Sequence, residues 1–196
     1  MTYSLASNNA VMSNDKKLPG DLAMWFFILA ELTVFAIFFI AFAVTEQFNS
    51  EMFVAGKAQL HTVSGLINTI ALITSSYFVA LSLVAVSNGN SRKTVVLLVL
   101  GMLAAGVYMV VKLWEYSQLF SLGIDLETNT FFTLYFLITA FHFLHVVLGI
   151  VILMFIAVKV SKGGYSLSIS GYEAGASYWH MVDLVWIILF PLIYVI

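Results

Sequence analysis

Apolar residues fall in five long unbroken runs separated by short polar stretches. The runs cover about Leu22 to Val44, Ser64 to Val86, Thr94 to Leu113, Phe131 to Val158, and Ser177 to Ile196. A helix needs roughly 20 predominantly apolar residues to cross the hydrocarbon of a bilayer, and each run is long enough. The fourth is the longest and predicts a tilted or protruding helix. Only helices and closed barrels satisfy backbone polar groups in lipid. Barrel strands alternate apolar and polar positions, whereas these runs are continuous, so the pattern selects helices. The expectation is an all-α polytopic membrane protein with five transmembrane helices in a single domain over residues 21–196. Residues 1–20 are polar and include Asp15, Lys16 and Lys17. They contain no apolar stretch followed by a small-residue cleavage site, so they read as a tail and not a signal peptide. Pro19 lies near the start of the first run, where a missing N–H is harmless.

Composition sharpens this picture. Of 196 residues, 62% are hydrophobic and 9% charged, against about a quarter charged in soluble domains. Mean hydropathy is +1.02. A soluble domain of this size has no interior large enough for so much apolar surface. The net charge of −2 is too small for a nucleic-acid partner, which demands a basic footprint. The absence of cysteine excludes disulfides, thiolate metal sites, cysteine-held iron–sulfur clusters and covalent haem attachment.

Charge also predicts orientation, because cytoplasmic loops collect Lys and Arg. Lys16, Lys17, Arg92, Lys93, Lys159 and Lys162 fall on one side, and Lys57 and Lys112 on the other, together with Glu46, Glu51, Asp125 and Glu127. The N-terminus is therefore expected in the cytoplasm, with residues 1–20 as a cytoplasmic tail. The C-terminus is expected on the opposite, periplasmic side. An odd number of spans agrees. No internal repeat is visible, which weakens a secondary-transporter reading.

Ionisable residues inside spans are costly and each calls for a reason. Glu31 lies nine residues past Leu22, roughly 14 Å into the layer. It reads either as a hydrogen-bonded acid that locks helix packing or as a proton relay. His142 and His145, three apart, share a helix face. They read as metal or haem ligands or as a pair of interhelical hydrogen-bonders. His180 and Asp183, again three apart, read as a polar pair fixing two helices. Lys112 and Glu115, beside Trp114 and Tyr116, read as an interfacial anchor in an aromatic belt. Asn68, Thr69, Thr74, Ser75 and Ser76 suit close helix packing. No zinc-type or di-iron-type ligand spacing occurs, and no metal site is expected. Nucleophile elbows and phosphate-binding glycine patterns are also absent.

These residues and their neighbours resemble subunit III of the haem–copper oxidases over nearly all of the chain beyond residue 20. The run from Tyr172 to Trp186 is similar to the family's long and specific G-x-E-A-x-x-x-Y-W-H-x-x-D-x-x-W signature. The run from Thr139 to Gly149 is similar to its T-G-x-H-G-x-H-V-x-x-G stretch. Trp25 to Glu31, Asn68-Thr69 and Glu115-Tyr116 also fit. The resemblance implies that Glu31 takes the place of the family's buried reactive carboxylate. It places His142, His145, His180 and Asp183 in an interhelical polar set that binds no metal.

By the same resemblance the chain is a non-catalytic accessory subunit of a respiratory complex in the inner (plasma) membrane. It would carry no cofactor of its own. Its partners would be the catalytic subunit I, whose proton-uptake side it supports, and membrane lipids. Five helices place it in the short class, without the family's first two helices and the lipid cleft they help form. Ala140 and Phe143 replace glycines of the usual histidine run. In this it resembles the NorE type associated with nitric oxide reductase, while its length also suits a cytochrome c or quinol oxidase. The rival readings are a haem b membrane cytochrome and a small proton-coupled transporter.

Overall fold

The computed structural model describes residues 22–163 and 169–195. The polar tail expected over residues 1–20 lies outside them. Among the described residues there are six helices and no strand: α1 (Leu22–Phe48), α2 (Ser50–Lys57), α3 (Thr62–Ser87), α4 (Ser91–Ser121), α5 (Thr130–Ser161) and α6 (Ile169–Tyr194). All except α2 are long and apolar enough to cross a membrane. The architecture is the expected all-α, five-span membrane bundle. The eight-residue α2 is an addition that a search for long apolar runs passes over. Glu51 opens it and Lys57 closes it, the charge order that complements a helix dipole.

The spans alternate in direction. Ser75 Oγ donates to the Gly101 carbonyl at 2.7 Å, and the His61 and Trp114 rings meet at 5.6 Å, so α3 and α4 run antiparallel along their length. The turn between them is short. Gly89 adopts φ +71°, a left-handed conformation that favours glycine. Its N–H donates to Val86 O and that of Asn90 to Ala85 O, both at 3.0 Å, the paired pattern that satisfies the last carbonyls of a helix. The Asn90 side chain then accepts from Lys93 N at 3.1 Å, capping α4. Asn129 caps α5 the same way through Phe132 N at 3.0 Å.

α6 is the central element, packed against α1, α3 and α5. In its apolar window 56% of residues are buried, against 17% in α1, which lies over α5 and α6 with most of its surface outward. A belt of Phe42, Phe53 and Phe131, with centroids 5.0–6.0 Å apart, pins α1, α2 and α5 together at the end where α6 finishes. Gly149 lets α5 approach α6. A Cβ there would stand 2.6 Å from Trp179 Cε3, closer than carbon atoms pack, so the indole occupies the space a side chain would need.

Two spans differ from their expected bounds. α4 continues past Leu113 to Ser121, because the polar residues Lys112 and Glu115 turn inward and do not end the helix. α6 begins before Ser177, because the polar stretch preceding it is packed inside. Tyr172, Ala174 and Ala176 are buried, and Tyr172 OH donates to Ser82 Oγ at 2.6 Å.

Candidate functional site

The polar residues of the spans lie along an internal seam between α1, α3, α4, α5 and α6. Its largest group surrounds Lys112. This ammonium is 0% exposed and donates to Glu115 Oε2 at 3.0 Å, Tyr135 OH at 3.0 Å and Tyr194 OH at 2.8 Å. All three N–H donors of the lysine are thereby used. Tyr194 OH donates in turn to Glu115, 2.8 Å from Oε2. The rings of Tyr116, Tyr135, Trp186 and Tyr194 stand 4.6–5.7 Å from Nζ, within the range of cation–π attraction.

The interfacial-anchor expectation for Lys112 and Glu115 is therefore corrected. An anchor must reach water or headgroups, whereas Glu115 is 1% exposed and both side chains point into the bundle. The ion pair ties α4 to α5 and to the last turn of α6. Exposed Trp114 fits the belt position, and Tyr116 does not: its hydroxyl turns inward to Thr139 Oγ1 at 2.7 Å.

Glu31 and His145 form the second group. Glu31 Oε2 and His145 Nε2 are 2.9 Å apart, with side-chain exposures of 21% and 10%. His145 Nδ1 lies 2.8 Å from the Phe141 carbonyl one turn back. A carbonyl only accepts, so Nδ1 carries a proton, and this contact fixes the ring's orientation. The Glu31–His145 bond is a direct polar tie between α1 and α5. Tyr178 adds a long bond to the His145 carbonyl at 3.4 Å.

His180 and Asp183, one turn apart on α6, form the third group. Ser76 Oγ of α3 lies 2.6 Å from His180 Nδ1, whereas Asp183 Oδ1 is buried without a hydrogen-bond partner among the described residues. The tie from α6 to α3 thus runs from His180 to Ser76 and not through a His–Asp pair. Trp186 Nε1 donates to Thr69 Oγ1 at 3.0 Å along the same helix pair.

His142 departs from expectation. It is fully buried, yet neither ring nitrogen has a hydrogen-bond partner among the described residues. It sits among rings, 5.2 Å from Trp186, 5.8 Å from Tyr108 and 6.2 Å from Phe35. The Tyr108 hydroxyl and both polar atoms of Asn68 are likewise without partners, and both residues are 0% exposed. A buried polar group left unpaired costs about 1–3 kcal/mol. Among the described residues no three His, Asp or Glu side chains gather as a metal-binding group.

Sequence reasoning had named Lys112, Glu115, Glu31, His145, His180 and Asp183 but not the groups that satisfy them. Tyr135 and Tyr194 were missed, and Ser76 was read only as a packing residue. One signal was available: Tyr108, Lys112 and Glu115 on α4, and Tyr135, Thr139 and His142 on α5, each follow spacings of three and four. Such spacings place side chains on one helix face.

A model of the family "Cytochrome c oxidase subunit III" matches residues 8–196. The chain is 32% identical over 182 residues to a protein of Aeropyrum pernix named heme-copper oxidase subunit I+III, covering 89% of this chain but 22% of that longer protein. It is 28% identical to cytochrome c oxidase subunit 3 of Synechocystis, covering 90% of this chain and 76% of the relative. It is 23% identical to cytochrome bo(3) ubiquinol oxidase subunit 3 of Buchnera aphidicola, covering 97% and 92%. With five apolar spans and bacterial relatives of this kind, it is a multi-pass protein of the plasma membrane. The match over residues 8–196 establishes that the chain belongs to the cytochrome c oxidase subunit III family of the haem–copper oxidases.

Proposed function

We propose that the chain is a non-catalytic accessory subunit of a haem–copper respiratory complex, held against catalytic subunit I and supporting that subunit's proton-uptake side. The observation that carries this reading is how the titratable side chains in the spans are used. Lys112, Glu115, Glu31, His145 and His180 are engaged in bonds between helices, the work of a rigid support. The relative whose name joins subunits I and III in one chain supports a position beside subunit I. Outward apolar side chains on α1, among them Phe26, Leu29, Ile37 and Ile40, suit lipid contact.

Reduction of oxygen is the favoured reaction of the partner, since the relatives above carry the names of oxidase subunits. Nitric oxide reduction is the second reading, favoured by Ala140 and Phe143 in the histidine run. Phe143 packs at 6.4 Å from the Tyr108 ring, so the helices meet there through a bulky side chain. An affinity tag on this chain, used to purify it from its native membrane, tests both points. The expected result is co-purification of a haem-bearing catalytic subunit, with oxygen uptake identifying an oxidase and nitric oxide uptake the alternative. Recovery of the chain with no haem protein rejects the accessory role.

The orientation we propose has the N-terminus in the cytoplasm and the C-terminus in the periplasm, because Arg92, Lys93, Lys159 and Lys162 lie at the end where α1 begins. A reporter active only outside the cytoplasm, fused after Ile196, is expected to be active. Activity of a cytoplasm-dependent reporter at that position contradicts the orientation.

A further inference from the structure

We infer that Asn68, Tyr108 and His142 form a bound-water site at the centre of the bundle. The three come from three consecutive spans. The α3–α4 register, bracketed by Ser75 against Gly101 and His61 against Trp114, sets Asn68 level with Tyr108. The ring of Tyr108 meets that of His142 edge-on at 5.8 Å. Trp186 of α6 backs both, 5.0 Å from Tyr108 and 5.2 Å from His142, while its own N–H is committed to Thr69.

All three side chains are 0% exposed. Together they present five polar atoms with no hydrogen-bond partner among the described residues. An isolated orphan is tolerable, but three buried on different helices, two of them in ring contact and the third level with them by register, are not a random packing defect. Buried polar groups are paired with protein or with ordered water in folded proteins. A buried water makes two to four hydrogen bonds, and an amide, a phenol and an imidazole supply both donors and acceptors for it. Lipid tails offer neither.

The position gives the water a consequence. His145, bonded to Glu31, follows His142 by three residues, and Lys112, bonded to Glu115, follows Tyr108 by four. Both steps are single helical turns. A water here lies one helical turn from each of the two ionic groups, whose own polar atoms are already engaged.

Radiolytic hydroxyl labelling of the full chain in its purified complex tests this, because radicals born at a bound water modify the side chains around it. Rates are normalised for intrinsic ring reactivity. Tyr108 and Trp186 are expected to label several-fold faster than Phe42 and Phe53, which are equally buried among aromatic rings. Tyr108→Phe keeps the ring contact with Trp186 but removes one water ligand, and is expected to lower Trp186 labelling several-fold. Asn68→Leu, on a different helix, is expected to do the same. Equal normalised rates at all four rings, or Trp186 labelling unchanged in both variants, overturns the proposal.

Discussion

Replacing Lys112 with methionine is expected to destabilise the bundle by about 3–5 kcal/mol, the usual penalty for removing one partner of a buried ion pair. The change strands the Glu115 carboxylate at 1% exposure and removes a donor from both Tyr135 and Tyr194. Because Tyr194 belongs to the last turn of α6, the C-terminal end of that helix is expected to loosen first. The double variant Lys112→Met/Glu115→Leu removes both charges at once. Replacing a buried pair by apolar residues of similar volume is often neutral, so the double variant is expected to recover most of the loss. Unfolding of wild type and both variants, followed by helical signal in a membrane mimetic, measures this. If the single variant is as stable as wild type, the ion pair does not hold the bundle together.

The Glu31–His145 bond carries the second large effect. α1 has little of its surface buried, so its polar tie to α5 matters more than the same bond would in a deeply packed helix. Glu31→Ala leaves His145 Nε2 without its partner and is expected to cost about 1–3 kcal/mol, seen as weaker retention of the chain by its complex. Glu31→Gln keeps shape and an acceptor oxygen while removing the titratable proton. If the carboxyl is a packing element, Glu31→Gln supports near-normal steady-state turnover of the complex. Loss of turnover in Glu31→Gln with normal assembly assigns Glu31 to a proton relay.

The fold was largely legible in the chain because membrane helices announce themselves by length. All five runs reappear as spans. The limits of the runs were less legible, and the reason is physical. A stop at Leu113 assumes that Lys112 and Glu115 seek water, but buried partners satisfied them and the helix continued. The start of α6 was placed at Ser177 because Gly171 to Gly175 are weakly apolar. The stretch packs inside all the same, with Tyr172 bonded to Ser82 and Gly175 facing Ile156 where a Cβ would stand 2.5 Å away.

Which residues face the protein and which face lipid was harder to read, since both surroundings are apolar and periodicity carries little contrast. Polar residues carried that information instead. Glu31, His145, His180 and Asp183 were found because charge in a span is conspicuous. Ser76, which meets His180, and Tyr135 and Tyr194, which meet Lys112, were not, because hydroxyl-bearing residues are common in spans and reveal a partner only when two helices are brought together. The same limit applied to His142: spacing placed it beside His145, but only packing set it opposite Tyr108 and Trp186.

The claim at the centre of this account is that the chain supports a catalytic subunit without performing chemistry itself. The direct measurement compares the complex with and without this chain, following turnover per catalytic subunit from the first cycles onward. The account predicts an unchanged haem spectrum and a near-normal initial rate in the depleted complex, a faster loss of activity over successive turnovers, and recovery of the slower decay when the chain is restored. Loss of haem with the chain, an initial rate near zero, or decay identical to that of the intact complex contradicts it.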